Sequence, residues 1–121
     1  MTPAEIIASV AADGLRITAI GCDTLRVRGP AAARDRWVPI LKARKTDLIV
    51  TWWAEYLREY AEERAAIHEF EGGVPRPEAE ALARRSTAMV ALAAGAPWAA
   101  LRQALDDPAL PDTMAPVDRL P

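Results

Sequence analysis

The chain has 121 residues, 51% of them apolar, with a formal net charge of −2, one cysteine and one histidine. That length fits one compact domain, or a domain with an appendage, and the apolar fraction is enough for a real core. The near-neutral charge does not mark a general nucleic-acid binder. The lone Cys22 excludes an internal disulfide and fits a reducing cytoplasm, and no stretch reaches the ~18 apolar residues that a membrane span needs.

The chain opens on Thr2-Pro3-Ala4-Glu5, a capping box with proline at the first helical position. A capped helix at the very start gives no sign of a signal peptide. Ile6, Ile7, Val10 and Ala11 form the inner side of this short helix, and Gly14 closes it. Residues 15–20 and 24–28 then alternate as two half-buried strands. Leu15, Ile17, Leu25 and Val27 face one way, and Arg16, Thr18, Arg26 and Arg28 the other. Gly21-Cys22-Asp23 between them is a three-residue loop with glycine, a common hairpin connection. An isolated hairpin is only marginally stable, so its apolar face must lie on the flanking helices.

Gly29-Pro30 ends the second strand. A short helix is expected from about Arg34 to Arg44, with Trp37, Ile40 and Leu41 inward. Pro39 suits only a first helical turn, which would move the start nearer Trp37. One long helix follows from Thr46 to Glu71, with Thr46 as N-cap and Gly72-Gly73 as the stop. Its apolar residues Ile49, Trp52, Trp53, Tyr56, Leu57, Tyr60 and Ile67 step by threes and fours along one face. At ~1.5 Å per residue this rod is roughly 39 Å long, so other segments should pack along it. Pro77 opens an alanine-rich helix to about Ala94, small enough on one face to fold closely back on the rod. Pro97 opens a last helix with Trp98, Leu101 and Leu105. The fold class is α+β and mostly helical. Residues 1–52 make an α/β hairpin unit, 53–105 a helical extension sharing the long helix, and 106–121 a flexible proline-rich tail.

Little here suggests catalysis. His68 and Cys22 are separated by much of the chain, and carboxylates such as Glu62, Glu63, Glu69 and Glu71 read as a wet helix face. Zinc takes three or four suitably spaced ligands, which are missing, and no phosphate-cradling glycine loop is present. No cofactor, metal or enzymatic activity is expected. Charge, in contrast, is uneven. Residues 16–45 carry eight Lys/Arg against two Asp, and residues 55–71 six Glu against two Arg. These surfaces either complement each other within the fold or along a dimer, or the basic one meets an acidic partner. Trp52, Trp53, Tyr56 and Tyr60 are mostly expected in the core. Adjacent tryptophans point ~100° apart on a helix, which leaves room for one at the rim as an interface anchor.

The pattern of residues 3–52 resembles a known family. A short helix leads to Gly14-Leu15-Arg16-Ile17, then Asp23-Thr24-Leu25-Arg26-Val27, Gly29-Pro30, and a helix with Leu41, Lys45 and Leu48. This is similar to the TubC-like N-terminal docking domains of nonribosomal peptide synthetase subunits. The resemblance implies an α/β fold with an exposed hairpin, often dimeric, that receives a short peptide. By carry-over, Arg16, Thr18, Arg26 and Arg28 would line the receiving edge. Lys42 and Lys45, from the same basic stretch, are expected to bind the partner as well. No synthetase module follows, so the fold would serve here in a free-standing protein. Residues 63–81 are weakly similar to segments of small proteins from bacterial mobile elements. The function expected is docking of a protein partner, an acidic peptide or strand, with a homodimer possible. The alternative is an accessory or inhibitor protein of a phage or plasmid element acting on nucleic acid or a nucleic-acid enzyme.

Overall fold

The computed structural model describes residues 1–107. The element order is α1 (Pro3–Ala12), β1 (Arg16–Ile20), β2 (Thr24–Arg28), α2 (Ala31–Ala43), α3 (Lys45–Phe70), α4 (Arg76–Ala94) and α5 (Trp98–Leu105). This is the mostly helical α+β architecture expected from the sequence. The proline-rich segment from residue 108 onward lies outside the described residues, whereas Asp106 caps α5 in a left-handed conformation.

Local chemistry explains each boundary. The Thr2 hydroxyl accepts from the Glu5 amide at 3.1 Å, and the Glu5 carboxylate accepts from the Thr2 amide at 3.2 Å, the reciprocal capping box. Gly14, at φ 85°, ends α1 in a Schellman turn. There the Leu15 amide reaches the Val10 carbonyl at 2.9 Å and the Gly14 amide reaches Ala11 at 3.0 Å. The turn aims the chain directly into β1. Strands β1 and β2 pair antiparallel in the register Arg16–Arg28, Ile17–Val27, Thr18–Arg26, Ala19–Leu25 and Ile20–Thr24. Gly21, Cys22 and Asp23 form the connecting loop, as the glycine there suggested. Gly29 must be glycine for two reasons. Its φ is 147°, and a Cβ there would stand 2.7 Å from both the Gly14 carbonyl oxygen and the Leu15 side chain. The strand exit is thus pressed against the end of α1.

Three expectations need correction. Helix α2 starts at Ala31 rather than Arg34 and carries Pro39 in its interior. Pro39 is solvent-exposed, so the carbonyl it leaves unpaired one turn earlier can bond to water instead. Ile40 is 42% exposed, not inward, because Trp37 and Leu41 occupy the inner stripe of α2 and Ile40 lies beyond its edge. Thr46 is not an N-cap: α3 begins at Lys45, and Arg44 serves as C-cap of α2 and N-cap of α3 with no side-chain cap. The two helices therefore abut through one residue, which leaves Thr46 inside the first turn of α3.

Helix α3 is the shared spine. One core cluster gathers Ile6, Val10, Leu15, Ile17, Ala33, Leu41 and Leu48 around its start. A second gathers Ala19, Ile49, Trp53, Ala54, Leu57, Ala91, Ala96, Ala100 and Leu101 along its length. Helix α4 does fold back on α3. It approaches through Ala79, Ala83 and Ala91, each at most 2% exposed, and Thr87, whose hydroxyl donates to the Ala83 carbonyl at 2.7 Å. The hairpin belongs to both clusters: Ile17 packs in the first, Ala19 in the second, and Leu25 lies against both.

Candidate docking edge

The hairpin is the only sheet among the described residues, and it has two strands. Neither outer edge is paired with another strand among the described residues. Such edges present unpaired backbone donors and acceptors, and natural proteins usually guard them. The two edges differ here. Beside β1 runs a groove of about 470 Å³, lined by Ile7, Val10, Ala11, Gly14, Leu15, Arg16, Ile17, Trp52 and Glu55. The Trp52 indole N–H lies across this side and donates to the Ile17 carbonyl at 3.1 Å. The β1 edge is thereby partly claimed by the protein's own spine.

Beside β2 runs a second groove, of about 330 Å³. Helix α2 packs on α3 and stands off β2, and the gap between them is this groove. Its floor and walls are Leu25 and Val27 from β2 and Val38 and Leu41 from α2. Lys42, Lys45 and Thr24 line it as well. Both lysines are exposed, and neither has an ion-pair partner among the described residues. A charged rim around an apolar trough suits a segment that buries some side chains and pairs others.

The outer face of the hairpin carries the remaining basic residues. Arg16, Arg26 and Arg28 are exposed and Thr18 is half-buried. Thr18 stands opposite Arg26, and Arg16 opposite Arg28. None of the three arginines has an acidic partner among the described residues. Other basic residues of the same stretch are engaged: Arg36 meets Asp13 at 2.6 Å and Arg44 reaches Asp47 at 3.9 Å. So the structure divides the sequence-derived basic set in two. Arginines occupy the outer face, lysines the mouth of the groove on the inner side, and the β2 edge runs between them.

The aromatic residues also separate. Trp53 is 6% exposed and is a core residue, not an interface anchor; its indole N–H donates to the Gly21 carbonyl at 2.8 Å. Trp52 is the rim partner of the pair and stacks on Tyr56, with ring centroids 5.5 Å apart and planes 8° apart. Tyr56 is 45% exposed and Tyr60 half-buried. Trp52 lies along the β1 side, so the aromatic cluster and the lysine-rimmed groove do not share one surface. The groove residues Val38, Leu41, Leu25 and Val27 were not singled out as binding residues by the sequence, which places Leu25, Val27 and Leu41 only as inward-facing residues.

Cys22 and His68 are not brought together. Cys22 is exposed at the hairpin loop, near the Gly21 carbonyl held by Trp53. His68 lies on α3 fifteen positions beyond Trp53, which is ~22 Å of helix. Among the described residues no three His, Cys, Asp or Glu side chains are grouped to hold a metal ion. No described helix is long and apolar enough to cross a membrane. No protein-family model matches this chain, and no curated protein or solved structure matches it.

Proposed function

We propose that this chain is a non-catalytic docking protein that receives a segment of a partner protein along the β2 edge. The observation that carries the reading is the juxtaposition at that edge. An unpaired strand runs beside an open apolar groove, with unpartnered basic side chains on both of its sides. A strand added to β2 would gain backbone hydrogen bonds, which supply affinity, while side-chain contacts supply selectivity. Carboxylates on the partner would meet Arg26 and Arg28 in charge-assisted bonds. The resemblance of residues 3–52 to TubC-like docking domains supports the same reading, since that family presents a hairpin to a peptide.

The test is affinity capture from the source cell with wild-type protein and with the double variant Arg26→Glu, Arg28→Glu, followed by mass spectrometry. Loss of a defined partner at unchanged far-UV circular dichroism supports docking at this edge. Undiminished capture by the variant removes it.

The unpaired outer-face arginines also suit phosphate contacts, which favours one second reading: an accessory or inhibitor protein of a mobile element that acts on nucleic acid. Binding of that kind weakens steeply with salt, because each neutralised phosphate releases counterions. Absence of any DNA or RNA shift at low salt would eliminate it.

A further inference from the structure

We infer that the segment received at the β2 edge alternates apolar and acidic residues over about five positions. The inference rests on the docking reading and extends it from where the partner binds to what its sequence must look like.

The geometry divides the neighbourhood of β2 into two tiers. Strand β2 has five residues, alternately exposed and half-buried: Thr24, Arg26 and Arg28 outward, Leu25 and Val27 inward. A strand laid beside it in the same sheet has the same period of two, so its side chains sort onto the same two faces. Inward side chains would lie over the trough formed with Val38 and Leu41. That space is apolar and open, and filling it with apolar side chains removes surface of both partners from water. Outward side chains would stand beside Arg26 and Arg28, which are exposed and unpaired. An acidic residue directly opposite an arginine on a neighbouring strand is favourable, and a basic one is not. Five residues span ~17 Å at ~3.4 Å each, so two or three side chains fall on each face.

Lys42 and Lys45 line the same trough as Leu25, Val27, Val38 and Leu41. A uniformly acidic peptide would place charge over the apolar floor, and a uniformly apolar one would leave Arg26 and Arg28 without partners. Only the alternating pattern satisfies both tiers.

The probes are three labelled seven-residue peptides with blocked ends. One alternates valine and glutamate, one has the same composition in two blocks, and one alternates valine and lysine. Binding is read by fluorescence anisotropy at low salt. The alternating valine–glutamate peptide should bind at least about tenfold more tightly than its block isomer. Arg26→Glu with Arg28→Glu should weaken it by about tenfold or more and reverse the preference toward the lysine peptide. Val38→Asp, on the other wall of the trough, should weaken it while helicity is retained. Equal binding of the alternating and block peptides, or no binding of the alternating peptide, overturns the inference. Partner capture from the cell that is lost in Val38→Asp, alongside either of those results, would leave docking at the edge standing and remove the alternating pattern alone.

Discussion

Arg16 and Arg28 stand directly opposite one another across the hairpin, and neither has an acidic partner among the described residues. Like charges in directly opposed cross-strand positions destabilise a sheet. The fold thus carries a small stability cost that its own contacts do not offset. Arg28→Glu should convert this pair into an attractive one and raise stability by about 0.2–1 kcal/mol at low salt. The gain should fade as salt is added. Urea midpoints at two ionic strengths would show it. A variant that is more stable and yet loses partner capture is what a binding surface, rather than a folding element, would give.

Asp13 ties the end of α1 to α2. Its carboxylate accepts from the Trp37 indole and from the Arg36 guanidinium, each at 2.6 Å. The Trp37 bond first, and then Arg36, hold this carboxyl below its ordinary value of 3.8. A depressed folded-state value means that the ionised form stabilises the fold. That contribution is fully present above the unfolded value and is lost as pH falls through the folded one. Asp13→Asn should therefore lower stability at neutral pH and cost progressively less as pH falls below 3.8 toward the depressed folded-state value. Denaturation midpoints of both proteins at pH 7 and pH 3 give the comparison.

Trp53→Phe keeps most of the buried ring but removes the donor to the Gly21 carbonyl. The expected loss is about 1–3 kcal/mol, from an unmade bond at a partly buried acceptor and a small void. Trp53→Ala should cost about 3–5 kcal/mol. Equilibrium denaturation followed by circular dichroism separates the two.

Ala83 faces α3 and is 2% exposed. Enlarging it crowds the α3–α4 contact, where Ala79, Ala83 and Ala91 are each at most 2% exposed. Ala83→Leu should destabilise by at least about 1–3 kcal/mol, whereas the same change at the exposed Ala81 should move stability by less than about 0.5 kcal/mol.

Pro39 is the ninth residue of the 13-residue α2 and is exposed. It donates no helical hydrogen bond, and its ring crowds the preceding turn. Pro39→Ala should stabilise the protein by about 1–3 kcal/mol, measured by thermal unfolding. Because Val38 and Leu41 flank it on the groove wall, the same variant tests whether the local shape of α2 sets the width of the trough.

Elements with a strong local signature were legible in the chain. The reciprocal pairing of Thr2 with Glu5, the alternation around Gly21-Cys22-Asp23, and the spacing of Ile49, Trp53 and Leu57 are all short-range patterns, and the structure follows them. Pro39 misled because a proline's cost depends on whether its side of the helix meets water, and exposure is a tertiary property. Thr46 had the chemistry of a cap, but α2 runs into α3 without the break that a cap serves. The groove could not be read at all. It exists because α2 leans on α3 and leaves β2, and that gap is set by packing between residues far apart in sequence. The same applies to the basic residues: Arg26 and Lys42 contribute to one charge run, yet the strand edge lies between them.

Trp52 and Trp53 are neighbours on α3, and each gives its indole N–H to a different hairpin carbonyl, Ile17 and Gly21. Indole emission shifts with the polarity and hydrogen bonding around the ring, so the molecule carries its own optical gauge of ribbon seating. Detachment of the two strands from the spine would change both chromophores together. Occupancy of the β2 side alone would leave Trp53 dark to the event and touch Trp52 only through the sheet. Titrations could then be followed on unlabelled protein in which Trp37 and Trp98 are replaced by Phe, with Trp52→Phe and Trp53→Phe changes separating the two remaining signals.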